Sequence, residues 1–281
     1  NYLISDIITM LKPLGVTYTM IKKLLTDEPN PALLKQQLED NPYILTKING
    51  LGFKKVDDLA LKLKPELINK TERLVAFIKY YFTDLGESNG HTWCSVKILK
   101  SAISNSVPEC ADKTDWLLEN NEFLHISEDR VGLKYYHDIE MQIYNILLEK
   151  SKKQTDINIS DEKIEQAIRH AEEEQGFKYV VEQLDTINKS LHRTISLITG
   201  KAGTGKTSIM RAIVKAYTEN QFTLTASALS AMAAQRITEA TSFPAMTIHR
   251  TLGCKGLNKF DFNKDNHLIT SVAFLDEGSM V

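Results

Sequence analysis

Cysteine is scarce. The three in 281 residues, Cys94, Cys110 and Cys254, include no two at the spacing of a metal-ligand or redox pair. That excludes a cysteine zinc site and a disulfide framework, and it suits a reducing compartment in which all three act as small hydrophobes. No stretch approaches the roughly 18 uninterrupted apolar residues of a membrane span, and no charged-then-apolar leader opens the sequence. A cytoplasmic protein without membrane contact is therefore the expectation. An excess of either charge is also missing: 34 Lys and Arg face 36 Asp and Glu, a net charge of -2. Contact with a polyanion must then come from local patches or backbone amides. What remains, 42% hydrophobic and 25% charged residues, is the composition of ordinary globular domains, and the length suits two or three of them.

Punctuation along the chain is uneven. Residues 1–84 are broken into short helical stretches by Pro13, Gly15, Pro29, Pro31, Pro42, Gly50 and Gly52. Over 85–150 the pattern changes to helices near Val96–Ile103 and Asp112–Asn120, then FLHIS, EDR and VGLKYYH, a hairpin signature. Helices followed by a hairpin predict a winged-helix-like α+β module. Residues 151–182 are charged, but Ile164, Ala167, Ile168 and Ala171 fall at i, i+3, i+4, i+7 behind Ser160, which predicts an amphipathic connector helix with a serine N-cap. From 183 to 281, TISLITG, a long helix, FTLTAS, a second helix and SVAFLDE alternate strand and helix, the mark of a parallel α/β sheet.

GKAGTGKTS sits between the expected strand Ile195–Ile198 and the expected helix from Lys206. It fits G-x-x-x-x-G-K-[ST] at Gly200, Gly205, Lys206 and Thr207. Gly200, Gly203 and Gly205, with Ala202, Thr204 and Ser208 around them, let successive N–H groups curl about an anion in front of a helix N-terminus. Lys206 is placed to reach β and γ phosphates and the Thr207 hydroxyl to bind Mg2+, so ATP and Mg2+ are the expected cofactors. Such a site needs an acidic residue from a second strand. FLDE supplies Asp276 for the metal and Glu277 to orient and deprotonate an attacking water, and hydrolysis is the implied reaction.

VEQLDTI, LITGKAGTGKTS, TASALSAMAAQRITEAT, TIHRTLG and FLDEGSMV resemble, in order and spacing, the first half of the motor of RecD-like superfamily 1 helicases, the group of the exodeoxyribonuclease V α subunit. NPYILTKINGLGFKKVDDLALKL, residues 41–63, is similar to the helix-hairpin-helix that precedes that motor. The resemblance implies a helix-hairpin-helix in 1–84, the winged-helix-like module in 85–150, the connector in 151–182 and a P-loop, RecA-like α/β motor domain in 183–281. It implies an ATP-dependent helicase moving 5′ to 3′ on single-stranded DNA or at a fork, in DNA repair and recombination, with other helicase–nuclease subunits as partners.

By the same resemblance Gln183 reads the adenine edge, with a plain surface glutamine as the alternative. Ser230 and Met232 fall in the strand-contacting segment, although Met232 stands where arginine is common and Ala231, Ala233 and Ala234 equally suit helix packing. Thr247 and His249 match a further DNA motif, His249 with a structural hydrogen bond as its alternative. Gly50, Gly52, Lys54 and Lys55 would grip phosphate through hairpin amides and charge, or else serve packing alone. Lys201, Ala202 and Gly278 also depart from the usual pattern. Because the sequence stops on the FLDE strand, the motor domain is expected to be cut short and weak in hydrolysis by itself. The rival readings are a non-catalytic DNA-binding or assembly module and a P-loop ATPase that does not act on nucleic acid.

Overall fold

The computed structural model of the chain describes residues 2–12, 17–48, 51–201, 203–256 and 259–278. They form two compact units, 1–142 and 143–281.

The first unit opens with α1 (Tyr2–Leu11), α2 (Tyr18–Asp27) and α3 (Pro31–Asp40), a 3-10 turn (Pro42–Lys47), α4 (Phe53–Leu63), a second 3-10 turn (Pro65–Asn69) and α5 (Thr71–Asn89). Local chemistry sets these boundaries. Asn30 accepts from Ala32 N–H ahead of Pro31, Asn41 accepts from Tyr43 N–H ahead of Pro42, and α5 ends at Gly90, whose φ of 69° is left-handed. Ile7, Leu11, Ile21, Leu34, Leu38, Leu45, Val56, Leu74, Ile78 and Phe82 are buried in one core. The Phe53 ring meets Phe77 edge-on at 5.1 Å between centroids.

The chain continues through β1 (Trp93–Ser95), α6 (Val96–Ser106), a 3-10 turn (Pro108–Lys113), α7 (Thr114–Glu119), β2 (Leu124–Ser127) and β3 (Arg130–Leu133). The strands form an antiparallel sheet in the order β1-β3-β2. Cys94 and Val131 pair on the buried face, over the same core. The hairpin expected to run on to His137 stops earlier. Lys134 N–H donates to Phe123 O and, with its ammonium on Asp138 one turn later, begins α8 (Lys134–Lys152).

One polar cluster lies within this core. Asp57 on α4 takes two hydrogen bonds from the Arg73 guanidinium of α5, at 2.9 and 2.8 Å, and one from the Tyr43 hydroxyl at 2.7 Å. Arg73 also donates to Glu109 and to Ile68 O. A buried charge is tolerated when paired and hydrogen-bonded in this way.

The second unit contains α9 (Asp161–Gln175), α10 (Val181–Leu191), α11 (Lys206–Glu219), β4 (Leu224–Ala228), α12 (Ala231–Thr241), β5 (Ala245–Thr247), α13 (Ile248–Thr251) and β6 (Val272–Asp276). Its sheet is wholly parallel in the order β5-β4-β6, with Ala228 opposite Thr247 on one side and Asp276 on the other. Ile164, Ala167, Ile168 and Ala171 are buried and pack in one cluster with Ile209, Ile213 and Ala216 of α11, as their spacing requires. Ser160 holds the N-cap position of α9 without a capping bond; its hydroxyl faces Glu162 at 3.4 Å.

Two features depart from expectation. β5 lacked a sequence signal, being only three residues held by their pairing to β4. The expected strand Ile195–Ile198 joins no ladder, and Leu197 is 88% exposed. A cavity of about 480 Å3 separates this segment from β6, its walls being 196–200 on one side and 273–278 on the other. The segment pairs with no strand among the described residues, and its Ser196 hydroxyl donates to Ser190 O at 3.5 Å instead.

Candidate nucleotide site and DNA-facing segments

The turn before α11 is made by Gly203 and Gly205, both left-handed at φ 79° and 84°, which side chains resist. A Cβ on Gly205 would collide with the Gln183 amide, and one on Gly200 would stand 2.6 Å from Thr204 Oγ1. Lys206, the first residue of α11, bends back so that Nζ donates to Gly200 O at 2.7 Å and Lys201 O at 3.0 Å. The ammonium thus caps loop carbonyls, a placement from which it can swing to an anion seated before the helix. Ala202 lies outside the described residues. Thr207 and Ser208 follow in the first turn of α11, where the Thr207 side chain is exposed.

Gln183, at the start of α10, accepts from Val180 N–H and donates to Thr204 O at 3.3 Å. It is therefore tied to the loop rather than standing free on a helix surface. It shares a cavity of about 390 Å3 with Thr204 and Lys206. Lys206 and Gly200 also line the 480 Å3 cavity, whose far wall is Asp276, Glu277 and Gly278 at the end of β6. Asp276 Oδ1 accepts from Glu277 N–H at 2.9 Å, and Glu277 has φ 55°, unusual for a residue with a side chain. Residues 70 positions apart are thus gathered around one opening. Among the described residues no group of three His, Cys, Asp or Glu could hold a metal. Two adjacent carboxylates, Asp276 and Glu277, line the opening, and hard oxygen donors of this kind suit Mg2+ completed by phosphate oxygens and water.

A further residue of this site escaped sequence reasoning. Tyr179 is buried, its hydroxyl donates to Ser208 O at 2.7 Å, and burial pushes its pKa up to about 12. It pins the first turn of α11. Nothing in the spacing of a lone tyrosine after Phe177 signals that role.

Of the candidate DNA contacts, Ser230 caps α12 by accepting from Ala233 N–H at 3.1 Å, and Met232 is 69% exposed beside it. Ala233 and Ala234 are buried while Ala231 is exposed, so the packing role belongs to two of the three alanines. Thr247 caps α13 by accepting from Arg250 N–H. His249 is exposed, and among the described residues its imidazole makes no hydrogen bond, although its backbone carbonyl accepts from Cys254 N–H; its ring lies 6.3 Å from that of Phe260. Lys54 and Lys55 are exposed in the first turn of α4. Gly52 precedes them in ordinary extended backbone, φ -65°, so its conformation does not require glycine, and Gly50 lies outside the described residues.

Residues 183–281 match the family model of an AAA domain. Residues 1–93 match that of the HHH domain of the ATP-dependent RecD2 DNA helicase. Together the two matches support a RecD-like helicase N-terminal region plus the start of its motor domain. An AAA domain implies nucleotide binding and the helicase domains a DNA substrate. Among the described residues no helix is long and apolar enough to cross a membrane.

Proposed function

We propose that the chain couples ATP hydrolysis to 5′-to-3′ movement on single-stranded DNA, with Gly200 to Ser208 as a P-loop and the module from β1 to β3 as a winged-helix-like accessory. The observation that supports this reading is the shared cavity: Lys206, Asp276 and Glu277, far apart in sequence, line one opening at the N-terminus of α11. Loop amides and Lys206 would hold the β and γ phosphates, with Gln183 against the adenine. Thr207 and Asp276 would hold Mg2+, which when bound neutralises charge on the phosphate oxygens. Glu277 would take a proton from water as its oxygen bonds to the terminal phosphorus and the bond to the ADP oxygen breaks. Ser230, Met232, Thr247 and His249 would meet the strand on the motor, and Lys54 and Lys55 on the helix-hairpin-helix.

The test has two parts. In calorimetry Lys206→Ala should weaken binding of ATP with Mg2+ by tenfold or more, since it removes the one cation of the loop that faces the phosphates. In turnover assays on a protein that includes this chain, Glu277→Gln should retain that binding and abolish DNA-stimulated hydrolysis. Unchanged affinity in the first variant, or unchanged turnover in the second, overturns the assignment.

A further inference from the structure

Trp93, His125, Arg130 and His137 surround a cavity of about 260 Å3 in the first unit, between the outer face of the β1-β3-β2 sheet and the first turns of α8. Strand pairing puts Trp93 and His125 opposite Gly132 from either side, so both stand on one face with a glycine between them. A Cβ at 132 would lie 2.5 Å from Thr92 O, so β1 can approach β3 only over glycine. Arg130, two residues earlier on the same face, carries its guanidinium 4.4 Å from the Trp93 ring centroid. Across the cavity His125 and His137 stack in parallel, 3.5 Å between centroids and 3° between planes.

The polar bookkeeping of this cavity is unusual. The Arg130 guanidinium, both imidazoles and the Trp93 indole N–H make no hydrogen bond or ion pair among the described residues; Glu140, the carboxylate on the wall, is taken by the Thr92 hydroxyl at 2.6 Å. Nearby, Lys134 is spent on Asp138. Flat rings, one cation and unused donors around a single opening match a nucleobase with its phosphate: rings stack on a base whatever its identity, and a guanidinium takes phosphate oxygens in pairs. A duplex offers no free base face to such a cavity, whereas a single strand does.

We propose that this cavity is a single-stranded DNA contact, seating one unpaired base against Trp93 and the histidine pair with its phosphate on Arg130. The inference relies on the helicase reading for the nature of the strand and on the side-chain geometry for the site. Trp93 and Trp116 are the two tryptophans of the chain, so Trp116→Phe leaves Trp93 as the sole indole reporter. In that background, oligothymidylate should quench Trp93 emission saturably. Arg130→Ala and His125→Ala should each weaken the quenching about tenfold while circular dichroism remains unchanged; Arg130 is exposed, so its replacement should not impair folding. Trp93 emission that ignores an oligonucleotide whose anisotropy reports binding would overturn the site and leave the helicase reading intact. Tighter quenching by oligouridylate would overturn DNA as the occupant. Loss of DNA-stimulated ATP turnover in the wild type would sink the helicase reading, whatever Trp93 does.

Discussion

Arg73 joins α4, α5 and the Pro108–Lys113 turn by charge-assisted bonds in a buried setting. Desolvation alone would lower its pKa, but the bonds to Asp57 and Glu109 outweigh that and raise it, so Arg73 stays charged at any working pH. Burial and the bond to Asp57 also push the Tyr43 hydroxyl up. Arg73→Ala would strand the Asp57 carboxylate without its cation, a change that costs about 3–5 kcal/mol for buried pairs. Chemical denaturation of the full chain should show that loss, and a loss below about 1 kcal/mol would mean that water replaces the guanidinium. Glu109 gives a pH signature: its bond to Arg73 holds its pKa below the ordinary carboxylate value. A depressed acid contributes its stability above the unfolded-state pKa and loses it as pH falls through the folded one. The wild type should therefore weaken from about pH 4.5 downward, by a modest amount because Glu109 is 44% exposed. Glu109→Gln should flatten that part of the profile in denaturation midpoints measured across the range.

The helices that carry the site were legible where one face alone is buried. Ile164, Ala167, Ile168 and Ala171 read as a stripe and pack as one; FTLTAS and SVAFLDE read as strands of an alternating strand–helix series, the second an apolar run, and they pair in parallel. Legibility failed where neighbours decide. β5 exists through its ladder to β4, and 195–198 lacks a ladder despite a strand-like sequence, because propensity supplies no partner. The boundary at Leu133 was misplaced since KYYH suits strand or helix alike, and the Phe123 carbonyl settles it. The stack of His125 on His137 was invisible for the same reason: it joins a strand to a helix 12 residues on. At this scale α4 makes a separable claim. Lys54 and Lys55 are exposed on its first turn and make no ion pair among the described residues. Replacing both by Ala should reduce the slope of log affinity for single-stranded DNA against log salt by about 1 to 2, at about 0.7 per phosphate contact. A slope that does not move in a folded double variant would make the α4 turn a packing element only.

Each unit has its own buried clusters, one spanning Ile7 to Val131 and the others confined to Ile159 onward, so a ligand seated in one should be felt first by that one. The nucleotide candidates from Gln183 to Glu277 all lie in 143–281, whereas both tryptophans, Trp93 and Trp116, lie in 1–142. This division makes the molecule its own reporter. β6 is paired on one edge and has Leu275 46% exposed beside the 480 Å3 cavity, so nucleotide seated there would add contacts to a half-open strand. A ligand that binds the folded unit alone adds RT ln(1 + [L]/Kd), about 2.7 kcal/mol at a hundredfold excess over Kd. ATP with Mg2+ should therefore raise the calorimetric transition of 143–281 by several degrees, given that 1 kcal/mol moves a domain of this size by roughly 2–8 °C. The tryptophan-detected transition should shift less. Lys206→Ala should cut the calorimetric shift by about half or more at the same nucleotide concentration while leaving the tryptophan transition where it was. A nucleotide-induced rise in the tryptophan signal equal to that in calorimetry would instead mean that the two units unfold as one cooperative body, with ligand energy spread across both cores.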